Sequence, residues 1–144
     1  MKNQPPILVS ACLAGLATRY DGGATPFTPV LELIRQGRAI PVCPEQLGGR
    51  PTPRNPNEIK DGRVIDAYGE DLTEAFERGA REALKLAQLA GCTQAILKAK
   101  SPSCGSGRIY DGSFSGQMID GDGVFAALLK KHGIHILSEE TWTE

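Results

Sequence analysis

The chain has 144 residues, the size of one ordinary domain, and can bury a core without disulfide or metal staples. Its 16 basic and 17 acidic residues nearly cancel, which excludes a broad basic surface for stable nucleic-acid binding. No apolar run is long enough to cross a bilayer, and the opening MKNQPPILVSACLAG is too short and interrupted for a secretory signal, so the expected setting is cytoplasmic with no membrane partner.

Ile7 to Ala11 is a short apolar, partly β-branched run, expected as a buried first strand, and the loop after it contains Gly15, Gly22 and Gly23. A helix should follow, capped by Thr28, with Pro29 at its first position and Val30, Leu31, Leu33 and Ile34 as its apolar face before Gly37 stops it. Ala39 to Val42 reads as the second strand. Gly48 to Pro56, with its glycines, prolines and arginines, reads as a rigid irregular loop, and Glu58 to Asp66 as a hairpin turning at Asp61-Gly62. The longest helix should open on a capping pair of Asp71 and Glu74, repeat apolar residues from Leu72 through Phe76, Ala80, Ala83, Leu84 and Ala87, and end at Gly91. Gln94 to Leu97 is the third strand, Gly123 to Lys131 a short helix ending at Gly133, and Ile134 to Leu137 the fourth strand.

Strands alternating with helices imply right-handed crossovers and a mostly parallel sheet. The expected fold is α/β: a Rossmann-like, three-layer arrangement of about four strands, with residues 1–144 as a single domain.

Four cysteines in a reducing compartment point to metal binding or catalysis rather than disulfides, and no CxxC pair occurs among them. In open parallel sheets, ligands bind in the loops that leave the carboxyl ends of the strands. Cys12 follows the first strand, Cys43 ends the second and Cys104 lies in the loop after the third, so all three should converge at one edge. Cys92, just after the helix-stopping Gly91, should pack structurally. Soft thiolates without histidine favour an iron-sulfur cluster over catalytic zinc; His132 and His135 read as structural or solvent-facing. The small residues around Cys104, Ser101-Pro-Ser-Cys-Gly-Ser-Gly107, allow backbone amides close to an anionic cluster. Glu45 stands two residues from Cys43, as either a site carboxylate or a solvated surface residue.

The ordered set Val9-Ser-Ala-Cys-Leu13, Arg19-Tyr-Asp-Gly-Gly23, Val42-Cys-Pro-Glu45, Leu47-Gly-Gly49, Pro51-Thr-Pro-Arg54, Lys98, Ser101-Pro-Ser-Cys-Gly105 and Ile109-Tyr-Asp-Gly112 resembles the [4Fe-4S]-dependent thiouracil desulfidases, small bacterial proteins once grouped as a domain of unknown function. The likeness covers nearly the whole chain. It implies that Cys12, Cys43 and Cys104 ligate three irons of a [4Fe-4S] cluster, while the open fourth iron takes sulfur from a thiolated pyrimidine in a non-redox reaction. Many relatives carry a further cysteine where this chain has Thr18.

On that resemblance, Glu45 activates water, Ser101 hydrogen-bonds the substrate or the water, and Ser103 supports it. Both serines are also common turn formers. Arg19, Tyr20 and Lys98, with Arg50, Arg54 and Lys100, are candidates to contact the substrate, including a ribose phosphate; Arg19 also suits a loop-ordering ion pair with its neighbour Asp21. Iron-sulfur assembly proteins would be transient partners. Three competing readings are a non-catalytic sulfur or iron-sulfur carrier, a nucleotide-binding module using the loop Ser103 to Gly107, and a metal-free hydrolase with Cys104 as nucleophile.

Overall fold

The computed structural model describes residues 4–143. Its centre is a four-stranded sheet of β1 (Ile7–Ser10), β2 (Ala39–Val42), β5 (Gln94–Leu97) and β8 (His135–Ser138), ordered β2-β1-β5-β8. Every pairing in it is parallel: Ile7 faces Ala39, Leu8 faces Ala95, and Gln94 faces His135. The expected α/β fold with four parallel strands is therefore the observed one. The last strand begins one residue later than expected, because Ile134 turns inward onto α4 (Val124–Lys131) and its N–H donates to Leu129 O at 3.0 Å.

Alternating side chains place the strands in two cores. Leu8, Ala95 and Leu97 face α3 (Thr73–Ala90) and α4, packing with Ala83, Ala87, Phe125 and Leu129. Ile7, Val9 and Ile96 face α1 (Thr28–Arg35), packing with Val30 and Leu33. Burial on both faces is what continuous apolar strands of a parallel sheet require, and it yields three layers.

Two helix starts differ from expectation. Thr28 is the first residue of α1 rather than its cap; Phe27 holds the cap position without a side-chain bond, and Pro29, expected first, is the second helical residue. At α3, Asp71 Oδ1 accepts the Thr73 N–H at 2.9 Å, but Glu74 does not return a bond and instead lies 3.8 Å from Arg78 on the surface. The reason is spacing: Leu72 takes the cap position, so Glu74 is too near the helix start to reach back.

Two hairpins flank the sheet. β3 (Asn57–Lys60) and β4 (Arg63–Asp66) pair antiparallel around Asp61 and Gly62, both at positive φ, as a tight hairpin turn demands. The other, β6 (Arg108–Tyr110) with β7 (Met118–Asp120), had no counterpart in the sequence reading. Nor did α2 (Pro44–Leu47), a single turn straight after β2. Its backbone lies directly on α3, because Gly48 and Gly79 carry no side chain: a Cβ on Gly79 would overlap Pro44 O, and one on Gly48 would overlap Ala75 O.

Candidate active site

The order β2-β1-β5-β8 reverses direction between β1 and β5, the switch point where open α/β sheets leave a crevice beyond their strand ends. A cavity of about 450 Å³ opens there, walled by Cys12, Cys43, Cys104, Glu45 and Ser101 among others. The three cysteines expected to converge do so, each carried by a different loop.

Cys12 sits in a one-turn 3₁₀ segment, Ala11–Ala14, where its carbonyl accepts the N–H of Gly15 at 3.2 Å and of Thr25 at 3.0 Å. Cys43 precedes α2 and accepts the Leu47 N–H at 3.0 Å, so the contact of α2 with α3 fixes both it and Glu45. Cys104 lies on a turn built by Ser101, whose Oγ accepts the N–H of Ser103 at 3.0 Å and of Cys104 at 2.9 Å. The first turn of α4 seals this loop from below, its Val124 and Phe125 N–H groups donating to Pro102 O and Ser103 O, both at 2.9 Å. Gly105 and Gly123 permit the approach, since a Cβ on either would press into the backbone of this loop.

Burial pushes the Cys12 thiol up to about 11, against the opposing pull of Lys98. Burial also raises Cys43, and raises Cys104 most strongly, despite a hydrogen bond from the Ser10 hydroxyl. Cys104 also senses the charge of Cys12 and Cys43, which places the three thiols as electrostatic neighbours. Thiols so buried ionise only when a cation compensates them. Among the described residues, no three His, Cys, Asp or Glu side chains are grouped to hold a single metal ion. Three soft ligands spaced around a cavity, rather than about one point, fit a polynuclear iron-sulfur cluster.

Glu45, Arg54, Lys98 and Arg19 line the same cavity, each with a charged partner. Glu45 and Arg54 form a nearly enclosed pair, Nε to Oε1 at 2.7 Å, with side chains 12% and 3% exposed. Lys98 meets Glu139 at 2.9 Å, and a second oxygen of Glu139 accepts the Ala99 N–H at 2.9 Å. Arg19 donates to Thr25 Oγ1 at 2.8 Å and lies 3.5 Å from Asp21, while its guanidinium stands 5.8 Å from the Tyr20 ring centre. The expected Arg19–Asp21 pair is therefore present.

Arg19, Tyr20, Lys98, Lys100, Arg54 and Ser103 all border the cavity, and Arg50 does not. Ser103 is 1% exposed, and its buried hydroxyl has no partner among the described residues. Cys92 packs in the larger core beneath Gly91, as expected, and both histidines are solvent-exposed. Three residues brought by the hairpins, Asn57, Glu58 and Tyr110, also border the cavity, and Glu139, which the sequence reading missed, acts on it only through Lys98 and Ala99. Glu139 follows β8 directly, so its place at a strand's carboxyl end was an available signal. Of the hairpin residues only Tyr110 fell within a segment of the resemblance, Ile109-Tyr-Asp-Gly112, and nothing local showed that β3 and β6 fold over the sheet edge.

Three comparisons place the chain among known proteins. A solved structure described as a [4Fe-4S]-dependent thiouracil desulfidase, TudS, superposes with a TM-score of 0.91 at 46% identity, covering 95% of this chain and 92% of that one. The uncharacterized protein YbbK of Bacillus subtilis (strain 168) is 44% identical over 143 residues, spanning 92% of this chain and 95% of its own. The family model described as 2-thiouracil desulfurase matches residues 7–141, and the chain belongs to that family.

Proposed function

We propose that this chain removes sulfur from thiolated pyrimidines such as 2-thiouracil or 4-thiouracil, with a [4Fe-4S] cluster held by Cys12, Cys43 and Cys104. The observation that carries the reading is one cavity at the sheet's switch point that gathers two buried thiols, Cys12 and Cys104, the partly buried Cys43 and a nearly enclosed carboxylate, Glu45. A cluster bound by three thiolates supplies a thiophilic Lewis acid with one open coordination position. The net reaction is hydrolytic: the ring carbon exchanges its sulfur for the oxygen of water, and sulfide leaves. No electron is gained or lost.

The protein's part is to hold reactants and move a proton. Glu45 takes the proton from the attacking water. Ser101 already uses its oxygen to accept two backbone N–H groups, so its own O–H remains to donate to the substrate or the water. Lys98, held by Glu139, contributes positive charge beside Cys12. The half-exposed Tyr20 and the neighbouring Arg19 border the mouth, where a flat ring can stack. A reducing cytoplasm keeps these thiols free, and iron-sulfur assembly proteins load them in passing.

A sulfur carrier needs the cysteines but gives no role to a carboxylate fixed beside them. The test is turnover by anaerobically reconstituted protein, followed as sulfide release and loss of the thiocarbonyl absorbance. Wild type should desulfurate, and Glu45→Gln should keep its iron while losing turnover by about 100-fold or more. Iron-loaded wild type inert toward every thiolated pyrimidine would overturn the desulfidase reading and leave the carrier.

A further inference from the structure

The guanidinium of Arg54 spends every nitrogen on the protein. Nε donates to Glu45 Oε1 at 2.7 Å, Nη2 to Thr18 O at 3.0 Å, and Nη1 to Pro51 O at 3.2 Å and Thr52 Oγ1 at 2.9 Å. Its backbone N–H donates to Tyr20 O at 2.8 Å. A side chain 3% exposed with all its nitrogens engaged is not available to a phosphate, which removes Arg54 from the candidate substrate contacts.

What the fork does is fix one carboxylate. A glutamate has three side-chain torsions, and here a single donor anchors one oxygen while Oε2 has no protein donor among the described residues. The planar fork also ties Glu45 to the Thr18 carbonyl, which accepts the Cys43 thiol at 3.9 Å. Glu45 is thereby held in register with a cluster-ligand loop by a group whose guanidinium nitrogens all bond to the protein.

We propose that Arg54 is a positioning residue for the desulfuration reaction: it anchors Glu45 through Oε1 so that Oε2 is aimed at the attacking water. This rests on Glu45 being the water-activating carboxylate. Arg54→Lys keeps the charge but lacks the fork, so it separates geometry from electrostatics.

The experiment compares wild type, Arg54→Ala, Arg54→Lys, Glu45→Gln and the Arg54→Ala/Glu45→Gln double variant, each reconstituted anaerobically. Iron content, kcat and KM are measured for every form, and added guanidinium at a sub-denaturing concentration is tested on Arg54→Ala. Both Arg54 variants should keep iron, lose about 100-fold in kcat and change KM by less than about threefold. Guanidinium should restore part of the kcat of Arg54→Ala, and in the Glu45→Gln background the Arg54 change should cost nothing further. Arg54→Lys carries the test should Arg54→Ala not fold. Loss of iron, a rise in KM with kcat intact, or an undiminished cost in the Glu45→Gln background would each overturn the positioning role. A fully active Glu45→Gln would overturn the water-activation reading itself, whereas an inactive Glu45→Gln beside fully active Arg54 variants would overturn the positioning role alone.

Discussion

Substituting Gly79 by alanine tests how the fold sets the site. In the middle of an exposed helix this change stabilises by about 1 kcal/mol, because alanine loses less backbone entropy. Gly79 is instead buried in α3 against α2, where a Cβ would overlap Pro44 O and stand 2.8 Å from Pro44 C and 2.9 Å from Gly48 N. Ordinary contacts of carbon are about 3.5 Å, so the α2 backbone must retreat by roughly 1.5 Å. Overpacking costs about 1–3 kcal/mol, and an overlap this deep with rigid backbone lies at the upper end, about 2–3 kcal/mol, above the propensity gain. The net loss is about 1–2 kcal/mol, or about 3–6 °C in Tm for a chain of this size. Pro44 lies between Cys43 and Glu45, so the same retreat shifts a thiol and the carboxylate relative to Cys12 and Cys104. Thermal unfolding of the iron-free protein and iron content after reconstitution read the two effects separately. An alanine variant with raised Tm and full iron uptake would refute the claim that this helix contact positions the site.

Three further outcomes are expected. Cys92→Ala should lower stability by about 1 kcal/mol through a small cavity in the larger core while leaving iron content unchanged, whereas alanine at Cys12 or Cys43 should abolish iron uptake; elemental analysis and thermal unfolding check both. Glu139→Ala removes the carboxylate from the partly buried Lys98 ammonium, leaving it only the Ala99 carbonyl, and strips the Ala99 N–H of its acceptor; it should lower stability by about 2 kcal/mol in urea titrations. Asp71 is held down to about 2, first by the Thr73 hydroxyl and then by Arg63. A depressed carboxylate contributes stability above its ordinary value of 3.8 and loses it as pH falls toward about 2, so Asp71→Asn should flatten the decline of Tm over that interval.

The parallel sheet was legible because its strands are continuous apolar runs and its longest helix has an unbroken apolar stripe from Phe76 to Ala87. The convergence of Cys12, Cys43 and Cys104 followed from direction alone, since parallel strands deliver their carboxyl ends to one edge. What escaped was set by tertiary contact. Strands β6 and β7 have three residues each and a connection rich in glycine and serine, too short for any periodicity to register. Turn α2 exists because two glycines distant in sequence, Gly48 and Gly79, let backbones touch. The partnership of Arg54 with Glu45 joins α2 to an irregular loop nine residues along the chain, where spacing predicts nothing.

The reading stands most directly on the metal content of the wild-type chain. Iron and acid-labile sulfide should be measured together after anaerobic reconstitution, with the visible spectrum recorded on the sample that is then assayed with 2-thiouracil and 4-thiouracil. A brown protein with about four irons and about four sulfides per chain, losing its turnover when the cluster is removed, is the predicted result. A colourless, iron-free protein that still releases sulfide from thiouracil would contradict it and make a thiol such as Cys104 the nucleophile.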